Sequence, residues 1–197
     1  MLCQALLFVL LPAVLALPQP VQRATCADMM VIFARGTTEA APIGTVAGPP
    51  LESALQSKIG SASLSFQGVT YAADVAGFLA GGDKAGSQAM AQMVSDAVAN
   101  CPQAKVVMSG YSQGGQLVHN AASSLPADTM AKVSSVIIFG DPDNGKPVEG
   151  ASAATTKIIC HTGDNICQGG AMILLPHLTY GNDAGTAAAF AASAAGL

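Results

Sequence analysis

The chain of 197 residues has no tryptophan, and charged side chains make up only 10% of it. Its eight basic residues are outnumbered by twelve acidic ones and form no basic patch, so we expect no nucleic-acid partner. So little charge is typical of a protein that meets apolar material, although a small alanine-rich chain can have the same composition.

Long apolar runs are missing as well. The longest, residues 1–16, is interrupted by Pro12 and stays below the about 20 residues that span a membrane. It ends in small residues that suit a cleavage site, so we predict a secretory signal peptide, although no basic residue precedes it. A pro-segment over 17–23 would follow. Residues 24–197 would then form one secreted, extracellular domain, which we expect to be a monomer without a membrane anchor.

The cysteines show no zinc-binding pattern. Cys3 would leave with the signal peptide, and the four that remain are an even number, which predicts two disulfide bonds in an exported chain. Three pairings are open, and we favour Cys26–Cys101 and Cys160–Cys167, the second of which closes a loop of six residues. Because the spacings fit no zinc motif, we expect no metal ion.

Residues 105–115 contain the most informative motif. A short apolar run that suits a strand leads into Gly110-Tyr111-Ser112-Gln113-Gly114, and a helical pattern follows. A serine at the apex of such a turn is presented as a nucleophile, and glycines are needed because any Cβ would collide with the neighbouring strand and helix. The start of the helix also directs backbone N–H groups at an anion. We therefore predict that Ser112 is a nucleophile, with an ordinary Gly-Ser turn as the alternative.

Strand and helix patterns alternate along the chain. Apolar, β-branched runs predict strands at 29–34, 63–69, 105–109, 133–139 and 156–160. Helical patterns cover 49–58, 86–100, 113–124 and 184–195. This alternation is typical of a parallel sheet with helices on both faces. Sites in such sheets lie beyond the carboxyl ends of the strands, where every candidate residue below occurs.

The loop after the first strand is a candidate second part of the site. A serine that attacks a carbonyl needs two N–H donors for the developing oxyanion, one after the serine and one after an early strand. Gln113 is placed to supply the first donor and Gly36-Thr37 the second. The alternative is an ordinary glycine turn in which Arg35 and Glu39 form a solvated ion pair.

Three histidines are candidates for the general base. His119 lies seven residues along the nucleophile's own helix, about 10 Å away along the axis, and is out of reach. His161 directly follows Cys160 at a strand end and could serve. His177, in an apolar loop before the last helix, is the preferred candidate.

The acid that orients the base is expected on a rigid loop. Asp164 lies inside the Cys160–Cys167 loop after the last strand, and a stapled loop can hold an imidazole in one tautomer. Ser112, Asp164 and His177 also follow the Ser–Asp–His chain order of α/β hydrolases. Asp141, which likewise ends a strand, is the rival acid.

Six short segments, spread over nearly the whole chain after residue 24, form a specific combined pattern. They are Cys26-Ala27-Asp28, Phe33-Ala34-Arg35-Gly36-Thr37-Thr38-Glu39, Gln67-Gly68-Val69, Gly110-Tyr111-Ser112-Gln113-Gly114, Cys160-His161-Thr162-Gly163-Asp164 and Pro176-His177-Leu178-Thr179-Tyr180-Gly181. Together they resemble the fungal cutinases, within a carbohydrate-esterase group that also contains acetylxylan esterases.

The resemblance implies a three-layer α/β/α minimal α/β-hydrolase fold around a parallel sheet of about five strands. It implies the triad Ser112, Asp164 and His177, the oxyanion donors Thr37 and Gln113, and the two disulfide bonds favoured above. The implied activity is serine-esterase hydrolysis of cutin, an insoluble aliphatic polyester, and of short- to medium-chain esters, without a cofactor.

Some residues depart from the family's pattern. Thr37 stands where many cutinases have serine, and the loop 77–82 lacks the asparagine that often supports that hydroxyl. The turn Gly140-Asp141-Pro142 is more similar to acetylxylan esterases, so a polysaccharide deacetylase is one alternative. A non-catalytic surface-binding protein that kept the fold is another.

The expected rim of the site favours an aliphatic substrate. Four apolar residues in the loops 76–84 and 167–181 would surround an open cleft: Leu79, Ile173, Leu174 and Leu175. A sugar site should offer aromatic platforms, and tryptophan is absent. Both loops are short and lack helical periodicity, so we expect no lid.

Overall fold

The computed structural model describes residues 26–197, so the predicted signal peptide (1–16) and pro-segment (17–23) lie outside the described residues. Its centre is a five-stranded sheet in the order β2-β1-β3-β4-β5, in which every neighbouring pair is parallel. The strands are β1 (Met29–Ala34), β2 (Leu64–Gly68), β3 (Lys105–Tyr111), β4 (Val133–Phe139) and β5 (Thr156–Ile159).

Six α-helices accompany the sheet in the described part of the chain. They are α1 (Gly48–Lys58), α2 (Val75–Leu79), α3 (Lys84–Asn100), α4 (Gln113–Ser124), α5 (Ala127–Met130) and α6 (Ala184–Ala195). Three short 3-10 helices follow β5, over Ile166–Gln168, Leu175–Leu178 and Tyr180–Asp183. None of these helices has the length and apolar character needed to cross a membrane.

The helices cover both faces of the sheet, which is the expected three-layer arrangement. On one face, α3 and α4 pack through residues such as Val94 and Leu117 against Ile32 of β1. On the other face, α1 and α6 pack against the opposite side chains of the same strands, such as Phe33. All six residues of β1 are buried, because a central strand of a doubly covered parallel sheet has no solvent-facing side.

Apart from the three 3-10 helices, which were not predicted, the predicted elements agree with the structure to within two residues at each end, with two omissions. The helix α5 was not predicted, and the segment 76–84, expected to be a loop, overlaps the helix α2. The carboxylate of Asp74 caps α2 by accepting a 2.7 Å hydrogen bond from the N–H of Gly77. Helices of four and five residues are too short to produce a periodic pattern, which explains both errors.

Both expected disulfide bonds are present. Cys26–Cys101 joins the residues before β1 to the end of α3, and Cys160–Cys167 closes the loop after β5. The first therefore links the chain before β1 to the chain before β3, at the amino ends of two neighbouring strands. The second closes the loop that contains Asp164.

The order of the strands determines where a site can form. Within the sheet, β2 lies on one side of β1 and β3 lies on the other side. The direction of the connections therefore reverses between β1 and β3, which flank a topological switch point. The loops after these two strands contain Thr37 and Ser112. They lie side by side because β1 and β3 are paired in register.

Candidate active site

Ser112 occupies the sharp turn between β3 and α4. Its φ of 56° and ψ of −122° are unusual for a residue with a side chain, and its N–H donates to the carbonyl of Phe139 at 2.9 Å. A Cβ on Gly110 would overlap the carbonyl of Gly114, and one on Gly114 would overlap the carbonyl of Ala34. The expectation that these glycines permit close approach of strand and helix is therefore confirmed.

His177 and Asp164 form a buried pair. The Nδ1 atom of His177 lies 2.8 Å from Oδ2 of Asp164, whose other oxygen accepts the N–H of Ile166 at 3.0 Å. A carboxylate at Nδ1 places the ring proton there and leaves the lone pair on Nε2. Among the described residues, the buried Nε2 has no hydrogen-bond partner, and His177 lines the same cleft as Ser112. The arrangement can therefore accept a proton at Nε2.

Tyr180 also holds Asp164, a role that the sequence interpretation missed. Its hydroxyl donates to Oδ2 of Asp164 at 2.6 Å and accepts the N–H of His161 at 2.9 Å. Burial alone would raise the pKa of the Asp164 carboxyl, but hydrogen bonds from His177 and Tyr180 hold it below its ordinary value. Burial and the neighbouring carboxylate raise the pKa of Tyr180, so its hydroxyl remains a donor. The motif 176–181 contained this tyrosine without indicating its partner.

Tyr111 fixes the imidazole from a second side. Its ring stacks on that of His177 with centroids 5.0 Å apart, and its hydroxyl donates to the carbonyl of His177 at 2.8 Å. Gly140, at a φ of 58°, lies so close to the imidazole that a Cβ there would be 2.8 Å from its Cε1. The ring is therefore held in one orientation by β3 and by the turn after β4.

The side chains of Thr37 and Gln113 meet beside Ser112, and Thr37 lines the same cleft as Ser112. The side-chain amide of Gln113 donates to the hydroxyl of Thr37 at 3.0 Å and to the carbonyl of Asp74 at 2.7 Å. The loop 77–82 has no asparagine to support that hydroxyl, and the amide of Gln113 supports it instead. Gln113 is also the first residue of α4, where backbone N–H groups lack partners within the helix.

Arg35 and Glu39 are not a solvated ion pair. Arg35 is buried, and its guanidinium donates to the carbonyls of Glu39 at 2.7 Å and Tyr71 at 2.8 Å. The carboxylate of Glu39 accepts the N–H groups of Gly36 at 2.7 Å and Thr45 at 2.8 Å. These bonds fix the loop that contains Thr37 to the neighbouring loops.

The rival acid and the other histidines are engaged elsewhere. The carboxylate of Asp141 is buried and lies 3.0 Å from Nε2 of His119. His161 pairs with Asp183 at 2.7 Å. The structure therefore brings Asp164, and not Asp141, to His177.

An apolar cleft of about 340 Å³ opens above Ser112. Of the four predicted rim residues, Leu79 and Ile173 line the cleft, whereas Leu174 and Leu175 are exposed but are not among its lining residues. The sequence interpretation missed Val75 and Leu178, which also line the cleft, and Met172, which is exposed next to Ile173 in the sequence. Between 41% and 75% of each of these seven residues is exposed, and the four that line the cleft give it an apolar, solvent-facing border.

Comparisons with known proteins agree with this architecture. The family model for cutinase matches residues 25–195. The chain is 62% identical to a cutinase of Botryotinia fuckeliana over 98% of this chain and 97% of that protein. It is 59% identical to a cutinase of Monilinia fructicola, over 98% of this chain and 95% of that protein.

Solved structures show the same relationship. A Trichoderma reesei cutinase in complex with a C11Y4 phosphonate inhibitor matches with a TM-score of 0.84 and 49% identity, over 86% of this chain and 77% of that one. An acetylxylan esterase shares the fold, with a TM-score of 0.69 and 21% identity over 87% of this chain and 100% of that one. The predicted α/β-hydrolase type of fold is thus confirmed, and the chain belongs to the cutinase family.

Proposed function

We propose that this chain is a serine esterase that hydrolyses the ester bonds of cutin and of short- to medium-chain esters through an acyl-enzyme on Ser112. The observation that carries the proposal is the cleft itself. Ser112 and His177 line one apolar opening, and the carboxylate of Asp164 lies behind the imidazole at 2.8 Å. Membership of the cutinase family supports the same activity.

The acylation step follows from these positions. Oγ of Ser112 attacks the ester carbonyl while Nε2 of His177 takes its proton. The imidazolium then gives this proton to the leaving alcohol, and the acyl group remains on Oγ. Asp164, kept ionised by its lowered pKa, offsets the charge of the imidazolium and holds the proton on Nδ1. Nε2 of His177 then takes a proton from water, whose oxygen attacks the acyl carbonyl. The imidazolium returns this proton to Oγ of Ser112 as the bond between Oγ and the acyl group breaks and the acid leaves.

The negative charge of the tetrahedral intermediate is stabilised beside α4. We assign the backbone N–H groups of Gln113 and Thr37, and the Thr37 hydroxyl, as its donors. The 3.0 Å bond from the Gln113 amide orients this hydroxyl before substrate arrives, so little reorganisation is needed in the transition state.

The apolar rim supports an aliphatic polyester as the substrate. Leu79 and Ile173 border the cleft, and no ring from tryptophan is available to stack on a sugar. No observation at the cleft favours acetylated polysaccharide over an aliphatic chain. We further propose that residues 1–16 direct secretion and that the enzyme acts as a monomer. The two disulfide bonds support an oxidising, extracellular location.

A substrate comparison with the purified protein tests the proposal. We expect hydrolysis of p-nitrophenyl butyrate and release of fatty acids from cutin, and at least about tenfold slower deacetylation of xylan. The Ser112→Ala variant, measured at equal concentration, is the control for contaminating esterases. Release of acetate from xylan at a higher rate than fatty acid from cutin would contradict the substrate assignment, and an inactive wild-type protein would contradict the enzyme assignment.

A further inference from the structure

His161 makes an arrangement of hydrogen bonds that the reaction described above does not use. Its Nδ1 lies 2.8 Å from the carbonyl oxygen of Pro176, and its Nε2 lies 2.7 Å from Oδ2 of Asp183. A carbonyl and an ionised carboxylate only accept hydrogen bonds, and a neutral imidazole has one N–H. Both contacts are hydrogen bonds only when the ring is an imidazolium with two donors.

The same residue contacts the site at further points. The ring of His161 stacks on that of Tyr180, with centroids 4.1 Å apart and planes inclined by 22°. Its backbone N–H donates to the hydroxyl of Tyr180, which in turn donates to Asp164. Pro176 directly precedes His177. His161 thus joins the chain after β5 to Pro176, Tyr180 and Asp183, and its contacts reach both members of the Asp–His pair through their neighbours.

We propose that protonated His161 is a positioning residue, which braces the segment 176–183 and makes the esterase activity decline at alkaline pH when the brace is lost. The inference rests on the proposed roles of His177 and Asp164, and adds a pH-dependent control to them. Below, "the brace" means the two ring hydrogen bonds of His161 to Pro176 and Asp183.

Loss of the proton changes the contact with Pro176. If Nε2 keeps its hydrogen for Asp183, the lone pair of Nδ1 faces the carbonyl oxygen at 2.8 Å, which is repulsive. The hydroxyl of Thr179 lies 3.1 Å from Nδ1 and now donates to the same carbonyl at 3.0 Å. It could donate to Nδ1 only by leaving Pro176. Either way, the carbonyl next to the catalytic base loses a hydrogen bond.

The surrounding charges favour the protonated ring. The titratable groups that face it are Asp183, Asp164, which is shared with His177, and the hydroxyl of Tyr180. Burial lowers the pKa of His161, but the hydrogen bonds to Pro176 and Asp183 and the two carboxylates raise it above the ordinary value overall. The brace is therefore complete below about pH 6.5, the ordinary imidazole value, and is lost as the pH rises through the raised pKa.

A histidine titration and a matched pair of variants test the proposal. The wild-type protein contains three histidines, and the ring signal that disappears in His161→Gln identifies His161 by NMR. Its midpoint should exceed about 6.5. We expect His161→Gln to lower kcat about tenfold at about pH 6, with KM unchanged, and less than about twofold at pH values above the midpoint that the NMR titration gives, because the wild type has then lost its brace as well.

His119→Gln is the control, since within the described part of the chain one carboxylate, that of Asp141, contacts the ring of His119, and this contact needs only one ring N–H. The ratio of wild-type to His119→Gln kcat should not change with pH. Asp183→Asn should shift the alkaline decline of wild-type activity to lower pH, because it removes the charge that favours the imidazolium. The Asp183→Asn variant keeps the ring of His161 and tests the same claim if His161→Gln folds poorly.

Two outcomes would contradict the proposed role of His161. One is a titration midpoint of His161 at or below about 6.5. The other is a His161→Gln variant with lowered thermal stability but wild-type kcat across the pH range, which would make the residue merely structural. Failure of the proposed function looks different: the wild-type protein would be inactive, or Ser112→Ala would retain activity, whatever the titration of His161 shows.

Discussion

Replacing Tyr180 by phenylalanine would show how strongly the structure depends on an ionised Asp164. The ring of Tyr180 is fully buried, and the substitution removes only its hydroxyl. The hydroxyl donates to the carboxylate at 2.6 Å and accepts the N–H of His161 at 2.9 Å. Asp164 would keep its bonds from Nδ1 of His177 and the N–H of Ile166.

The expected magnitude follows from these two bonds. A hydrogen bond to a charged group stabilises by about 1.5–3 kcal/mol, and a buried N–H without an acceptor costs about 1 kcal/mol or more. The free energy of unfolding should fall by about 3 kcal/mol, which lowers Tm by about 6–12 °C for a chain of this size. Because His177 keeps its own bond to Asp164, we expect kcat to fall only about tenfold.

The pH dependence provides the sharper measurement. The pKa of Asp164 is lowered in the folded protein, so its contribution to stability is present above the ordinary carboxyl value of 3.8 and is lost as the pH falls through the folded pKa. The Tm difference between wild type and Tyr180→Phe should therefore be constant between about pH 6 and 8, and should shrink below about pH 4. Differential scanning fluorimetry over this range measures it.

Tyr111→Phe is the matched comparison, because it removes a hydroxyl that donates to the neutral carbonyl of His177. Its loss of Tm, about 2–4 °C, should be the same at neutral and acid pH. If the Tm difference of Tyr180→Phe does not shrink at any pH below about 4 at which the wild type still folds, the hydroxyl of Tyr180 does not stabilise an ionised Asp164 and our account of its pKa is wrong.

Three further predictions concern the proposed reaction. Ser112→Ala should lower kcat/KM by more than about 10³-fold with an unchanged Tm, and appreciable residual activity towards p-nitrophenyl butyrate would count against Ser112 as the nucleophile. Asp164→Asn should lower kcat by about 10³–10⁴-fold by favouring the wrong imidazole tautomer, whereas Asp141→Asn should mainly lower Tm, and the reverse order would mean that the acid is misassigned. The cleft should be open without a lid, so the rate on a soluble ester should not jump when substrate droplets form; a several-fold rise, reduced by tethering α2, would identify that helix as a lid.

Local patterns in the sequence were sufficient for the order of strands and main helices. A central strand such as β1 must be apolar throughout because both of its faces are covered, and this requirement is visible in six consecutive residues. The turn at Ser112 likewise needs glycine at fixed positions, so the motif and the structure agree. An even number of cysteines in a chain with an apolar leader predicted two disulfide bonds, and the favoured pairing is confirmed.

The sequence by itself therefore determined the fold class, the candidate nucleophile and the segment that contains its partners. Only the tertiary structure decided which groups meet. Gln113 supports a hydroxyl 76 residues away, and Tyr180 donates to a carboxylate 16 residues before it. His161, left open as a base, instead faces two acceptors on the segment 176–183. Such contacts join loops at the carboxyl ends of the strands. The order of the strands determines which loops are neighbours there, and local sequence periodicity contains no information about that order.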